Sequence, residues 1–405
     1  MTHTQSEDNM TSGWKSVKLG ELITIKHGFA FKGEYITTED NGIVLVTPGN
    51  FAIGGGFQEG KKFFNGEYPS DYVLRPGELI VTMTDLSKDG DTLGYSALVP
   101  ETNRTYLHNQ RIGLIEVHSN EISKDYLYWF MRTRAYQKQV VATASGSTVR
   151  HTSPSRICEI EISLPPLDVQ RKIAAVLKPL DDKIEINARV NARLERVAQA
   201  LFKRHFVRFE PYGGTMPPGW RVGTIGEIIT PKRGKNLLSK DAIAGDVPVV
   251  AGGLEPSVYH NTANTKAPVV TISGSGANAG FVRLWMRDVW SSDSSFIDST
   301  MSEDVFFWYV LLKSRQEEIY GAQTGSAQPH IYPKNIAEMK CIIPAAEAIK
   351  EYCDLVSPMF EKIGLNTDES RTLARLRDVL LPRLMSGAVD VRQVRLNTIQ
   401  KGGSR

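Results

Sequence analysis

Between Leu164 and Phe209, apolar or small residues recur at Ile173, Leu177, Leu180, Ile184, Leu194, Ala198 and Leu201. Steps of three and four put them on one face of a helix. Asn187 and Asn191 fall on the same stripe. Asn on a packing seam lowers stability but fixes register and partner orientation. The pattern predicts a long helix that lies against another long helix. It returns 179 residues later: Ile363, Asn366, Leu373 and Leu380 repeat Ile184, Asn187, Leu194 and Leu201, and Pro358 repeats Pro179. Proline removes a backbone donor and clashes with the preceding turn, so both helices are expected to kink or restart there. The stretch 180–206 would span roughly 40 Å at about 1.5 Å per residue.

The rest of the chain is duplicated as well. GWKSVKLGELITIKHG (13–28) aligns without a gap on GWRVGTIGEIITPKRG (219–234), with eight identities in sixteen positions. An internal repeat of this kind decides the architecture. Further on, DYLYWFMRTRAYQKQ (125–139) faces DVFFWYVLLKSRQEE (304–318), and both read as amphipathic, aromatic-rich core helices. In the stretch 144–165, Gly146, Ser147, His151, Pro154, Ile157, Glu159 and Pro165 all have identical counterparts 179 residues on. That stretch reads as a loop and a strand leading into the long helix.

Between these blocks the reading is β. IVLVTPGN (43–50) and ELIVTMT (78–84) are β-branched runs bounded by Gly and Pro, matched by DVPVVAGG (246–253) and APVVTISGSGANAGFV (267–282). Val81, Thr82 and Met83 are aligned with Val270, Thr271 and Ile272, and Gly94-Tyr95 with Gly280-Phe281. FAIGGGFQEG (51–60) reads as a flexible loop. The first copy carries 27 more residues here than the second, so the repeats differ most in their mid-domain loops. Recognition usually resides in such loops on a rigid scaffold.

Bulk properties narrow the picture modestly. A chain of 405 residues suits two or three domains. The net charge of +3 permits nucleic-acid binding without arguing for it, so any basic footprint must be local. Cys158, Cys341 and Cys353 show no metal-ligand spacing and read as reduced, mostly buried thiols of a cytosolic protein. No apolar run is long enough to span a bilayer, and the polar, acidic start is unlike a signal peptide.

No catalytic set stands out. TISGSGANAG (271–280) follows a strand, but its GxGxxxG spacing leads into another strand and lacks GK[ST], so it reads as a tight turn bringing backbone close to a partner. LPP (164–166) is flanked by Ser163 and Leu167 and does not make an [ND]PP[YF] base-binding loop. His151 and His330 are matched, with no carboxylate or nucleophile near them in sequence, and read as structural or contact residues. More useful are the basic and polar loops. Lys26, His27 and Phe29 occupy the place of Lys232, Arg233 and Lys235, and Asn109, Gln110 and Arg111 follow a strand. Arg pairs bidentately with guanine, Asn and Gln with adenine, and Ser and Thr with either.

At this point the chain resembles the specificity subunits of type I restriction-modification systems. The resemblance rests on the repeated GW(K/R)…(L/I)GE(L/I)IT.K.G blocks and the GS…H..P..I.E…..P blocks. It rests also on the helical wording LPPLDVQRKIAAVL…LDDKIEINARVNARLERVAQALFKRHF and LARLRDVLLPRLMSG, and covers Gly13 to Val391. It implies an α+β fold: two repeated α/β target-recognition domains, at 13–165 and 219–344, joined by spacer helices at 166–210 and 345–391 in an antiparallel coiled coil. Residues 1–12 are expected to be disordered, 211–218 a linker, and 392–405 a tail frayed at Lys401–Arg405. The helix seam would be Ile173, Leu177, Leu180, Ile184, Asn187, Leu194 and Leu201 against Ile363, Asn366, Leu373 and Leu380.

The resemblance further implies a non-catalytic chain that reads a bipartite double-stranded DNA site. It would bind no cofactor. Two methyltransferase subunits would dock on the helices and hold S-adenosylmethionine, and restriction motor subunits would use ATP. The expected DNA-contact residues are Lys26, His27, Phe29, Asn50, Thr84, Asn109, Gln110, Arg111, Ser147, Thr148, Arg150 and His151 in the first domain. In the second they are Lys232, Arg233, Lys235, Ser273, Ser275, Asn278, Ser326, Gln328 and His330. Two similar domains on an antiparallel pair match the two-fold relation between DNA strands, and a roughly 40 Å spacer compares with about 34 Å per DNA turn. Unlike loops then predict unlike half-sites about one turn apart. Two other readings stay open on the residues alone: a protein-interaction scaffold without DNA binding, and a stand-alone nucleic-acid-modifying enzyme.

Overall fold

The segment GWKSVK forms the strand Lys15–Lys18, which pairs antiparallel with Glu161–Leu164. Its repeat, GWRVGT, forms Arg221–Thr224, which pairs the same way with Lys340–Ile343. Each repeat therefore closes on itself immediately before a long helix. The computed structural model describes residues 13–87, 89–325 and 328–393. The disorder expected for 1–12 and the fraying expected at the C-terminal end lie outside those residues.

Packing divides the chain into two units, one of residues 1–182 with 373–405 and one of residues 183–372. Both boundaries fall inside the long helices, Leu167–Phe202 and Ala346–Met385, so each helix lends a part to each unit. The helices are core, not detached spacers. In the first unit Ile173 and Leu177 are fully buried with Leu381 and Leu384, and Leu380 packs against them. In the second, Ala198 and Phe202 are buried with Tyr352, Val356 and Phe360, and Leu201 and Ile363 pack alongside. Burying one such apolar side chain contributes roughly 1.5–3 kcal/mol, so these stripes account for the helices better than intrinsic propensity does.

The two units share one sheet plan. In the first, Ile23–His27, Ile112–Val117, Leu79–Thr82 and Ser96–Leu98 lie side by side, all antiparallel. In the second the order is Lys232–Arg233, Ser294–Asp298, Val269–Ser273 and Val282–Trp285, again antiparallel. A further sheet in each unit is built on a parallel pair: Ile43–Val46 with Thr105–His108, and Val247–Val250 with Trp290–Ser291. The additional strands Ile36–Thr37 and Val73–Leu74 fall in the longer mid-region of the first copy.

Several expectations are corrected. The alignment of Val81 with Val270 is two residues out of register. Gly94 N donates to Thr82 O, and Gly280 N to Ser273 O. Thr82 is thus the counterpart of Ser273, and Val81 of Ile272. A slip of two keeps every side chain on its face, so alternation could not detect it. Each aromatic helix is two helices, Lys124–Phe130 with Arg134–Ala142 and Val305–Ser314 with Gln316–Gly321. The first pair restarts at Thr133, whose hydroxyl accepts from Tyr136 N at 3.2 Å as an N-cap. Val305 to Leu312 are all buried, so that helix is not amphipathic.

A short helix also precedes each exit strand, Pro154–Cys158 and Pro333–Ala337. Neither long helix stops at its proline: Pro179 and Pro358 are exposed, and the residues four before them, Ala175 and Asp354, are exposed too. Water can serve the carbonyls that the prolines leave unbonded. The 51–60 loop is pinned. Gly54, Gly55 and Gly56 all have positive φ, Gly56 N donates to Ser96 O at 2.8 Å, and Arg132 Nε donates to Gly54 O at 3.0 Å. Gly387, with φ of 74°, ends the second long helix as its sequence predicts.

Candidate nucleic-acid interface

In each unit one corner of the four-stranded sheet gathers loops from distant parts of the chain. In the first, the end of Ile23–His27 is stitched to the turn before Ile112–Val117. Phe29 N donates to His108 O at 2.8 Å, and Gln110 N to Phe29 O at 2.9 Å. Gly28 makes the approach possible, because a Cβ there would strike the backbone oxygen of Asn109. Behind it, Thr152 N donates to Met83 O at 3.0 Å, and Thr84 Oγ1 lies 3.1 Å from His151 Nδ1.

The second unit repeats this design. Gly234 lies against Ser291 O, Gly274 N donates to Asp293 O at 2.9 Å, and Ile331 N donates to Gly274 O at 3.0 Å. The matching bond in the first unit runs from Met83 N to Arg111 O at 2.9 Å. The hydrogen bonds therefore equate His27 with Arg233, Thr84 with Ser275, Arg111 with Asp293, and His151 with His330. Four positions recur, and the side chains on three of them differ.

Exposure sorts the expected contact residues. Lys26, His27, Phe29, Gln110, Arg111, Ser147, Thr148 and His151 are exposed, and Arg150 is half-buried. Lys26 lies over the Tyr72 ring at 5.1 Å, and Phe29 packs on Phe31 and Tyr72 with ring centroids 5.2 Å apart. In the second unit Lys232, Arg233, Lys235 and Gln328 are exposed. Ser275, Asn278 and His330 are half-buried, and the His330 ring stacks on Tyr332. Ser326 lies outside the described residues.

Four expected contacts are corrected. Asn50 is 1% exposed and its Oδ1 accepts from Thr47 N at 2.9 Å, closing a turn. Asn109 is buried and accepts from Arg111 N at 3.1 Å. Thr84 is buried against His151, and Ser273 Oγ donates to Ala251 O at 3.4 Å. Short polar side chains beside loops often serve their own backbone in this way, and such groups are not available to a partner.

The sequence reading missed Asp293. Arg233 Nη2 donates to its Oδ1, and Ser275 Oγ donates to its Oδ2. An acidic residue is not sought on a DNA-facing surface, and its partner lies sixty residues away; only the repeat correspondence with Arg111 could have drawn attention to it. Behind the first unit's corner, burial pushes the His108 imidazole below its ordinary pKa, and its Nε2 lies 2.9 Å from Ile112 O. It braces the strand as a neutral ring.

Cys341 and Cys353 are buried, Cys158 is half-buried, and all three are free thiols. Among the described residues no group of His, Cys, Asp and Glu is placed to hold a metal ion, and no helix is long and apolar enough to cross a membrane.

The family model described as the type I restriction modification DNA specificity domain matches residues 11–196 and 217–375. The chain is 28% identical over 305 residues to the type I restriction enzyme MjaIX specificity subunit of Methanocaldococcus jannaschii, covering 67% of this chain and 71% of that protein. It is 24% identical over 408 residues to the HindI specificity subunit of Haemophilus influenzae, covering 75% and 87%. Its fold is similar to the crystal structure of the type I restriction-modification S subunit from M. genitalium. That match has a TM-score of 0.57 at 19% identity and covers 92% of this chain and 96% of that one.

Proposed function

The chain belongs to the type I restriction-modification DNA specificity family, and from that premise we propose that it reads an asymmetric, bipartite site in double-stranded DNA, one half per domain. Its relatives are named as specificity subunits, so its role is recognition, not catalysis. The observation that carries the bipartite reading is the recurrence of one loop corner in both units with different side chains on it. Equal scaffolds with unequal chemistry read unequal sequences.

On this reading the chain acts in the cytoplasm and directs two methyltransferase subunits and restriction motor subunits to the site. S-adenosylmethionine and ATP are bound by those partners. The helix residues left exposed, among them Ile186, Val190 and Val197, offer apolar surface that the other described residues do not cover.

Exchanging residues 13–150 for the corresponding segment of a relative with a different target tests the proposal. The expected result is a change confined to one half-site. A change in both halves would contradict the modular reading. Absence of salt-dependent DNA binding by the chain with its partner subunits would favour a protein-interaction scaffold.

A further inference from the structure

We propose that Arg233, held by Asp293, is the side chain with which the second domain reads a guanine of its half-site; the inference rests on the DNA-reading function proposed above.

Arg233 ends the short strand Lys232–Arg233, opposite Ser295. Its guanidinium donates to one oxygen of Asp293, and the other oxygen accepts from Ser275. The carboxylate is thus engaged on both sides and restrains the guanidinium through Nη2. Gly274 completes the arrangement: a Cβ there would strike Arg233 Nη1 and Asp293 Oδ1. The backbone is kept bare where the fork lies against it.

Fold stability does not explain this construction. The two side chains are 39% and 30% exposed, and an ion pair so open to solvent contributes about 0–1 kcal/mol. A phosphate contact does not explain it either, because a carboxylate beside the guanidinium would repel the phosphate it is meant to bind. A base contact does. Guanine offers O6 and N7 to two donors of one Arg in the major groove. A guanidinium already oriented by a carboxylate loses less freedom when it binds. Lys232 leaves the strand on the opposite face, is exposed, and makes no ion pair among the described residues. It has the character of a phosphate contact.

The first unit carries the reverse chemistry. His27 stands where Arg233 does, and the exposed Arg111 stands where Asp293 does. The cation there projects from the turn before Ile112–Val117 and makes no ion pair among the described residues. Guanine recognition through the Arg233 position therefore belongs to the second half-site alone.

The test uses the chain with its co-encoded partner subunits and selection of bound duplexes from a random library. Arg233→Ala and Arg233→Lys should each relax one G·C position of the second half-site by about 10- to 100-fold, leaving the first half-site intact. Lys keeps the charge and loses the fork. Asp293→Ala should relax the same position without weakening overall binding. Lys232→Ala should weaken all sequences alike and lower the salt slope by about one, whereas Arg233→Ala should leave that slope unchanged.

The proposal is overturned if Arg233→Ala weakens every sequence equally, lowers the salt slope and leaves the motif unaltered. Should Arg233→Ala select nothing at all, Arg233→Lys decides: a relaxed guanine position supports the assignment, and an unaltered motif overturns it. Failure of the wild-type complex to bind DNA would instead remove the function on which the assignment rests.

Discussion

Asn187 and Asn366, the same residue of two repeats 179 positions apart, meet across the paired helices, with Asn187 Nδ2 donating to the backbone oxygen of Asn366 at 3.3 Å. Each also reaches the other helix four residues from that meeting point. Asn187 Nδ2 donates to Ser370 Oγ at 3.1 Å, and Asn366 Nδ2 to Asn191 Oδ1 at 2.8 Å. Residues 191 and 370 are themselves repeat equivalents, so the helices are locally two-fold related here. Both Asn side chains are 2% exposed. A polar pair on an otherwise apolar seam is satisfied in one register only.

Asn366→Ala should therefore cost about 1–3 kcal/mol, since it leaves buried polar partners short of a bond. In a double-mutant cycle with Asn191→Ala the effects should fall short of additive by at least about 0.5 kcal/mol. Urea unfolding measures both. Strict additivity would mean that the two carboxamides do not work as a pair.

In the first unit Asp181 lies between Arg377, at 2.7 Å, and Arg132. Arg132 is 4% exposed, and its guanidinium is also 4.6 Å from the Trp129 ring centroid. Burial works to raise the Asp181 pKa, but the two guanidinium groups outweigh it and hold the carboxyl below its usual range. A depressed pKa contributes stability above the unfolded value, about 3.9, and that stability is lost as pH falls through the folded value. Asp181→Ala should cost about 3–5 kcal/mol at pH 7, by leaving a buried cation unpaired. The gap from wild type should shrink in acid below about pH 4. A gap that stays constant into acid would contradict this account.

Gly28→Ala and Gly234→Ala test the loop corners separately. Each added methyl meets a backbone oxygen, that of Asn109 or of Ser291, which cannot swing aside as a side-chain tip could. Forced overpacking of this kind costs about 1–3 kcal/mol. Each variant should lose recognition of one half-site, Gly28→Ala the first and Gly234→Ala the second, read by library selection with the partner complex. Loss of the same half by both would contradict the assignment of one corner to one half-site.

Much of this architecture is legible from residues alone because the chain states it twice. Gly13-Trp14 and its copy locate the first strand of each unit, and the stripe from Ile173 to Leu201 locates a long helix. What escaped reading was set by interactions distant in sequence. The exposure of Pro179 lets its helix continue, and no local rule reveals which face of a helix meets water before its partner is known. The alignment of Val81 slipped by two because alternation has that period. Asn50 and Asn109 have base-reading chemistry on paper, yet each is consumed by its own turn. Asp293 gains meaning only from Arg233 and Ser275, which the fold brings to it.

The central claim, that this chain supplies the sequence specificity of a modification system, is tested most directly by mapping methylated bases in host DNA with and without the chain, its partner genes intact and expressed. The account predicts that removing the chain erases one bipartite, non-palindromic methylation motif and leaves every other motif in place. An unchanged set of motifs, with the partner methyltransferase demonstrably present and the chain produced, would contradict it.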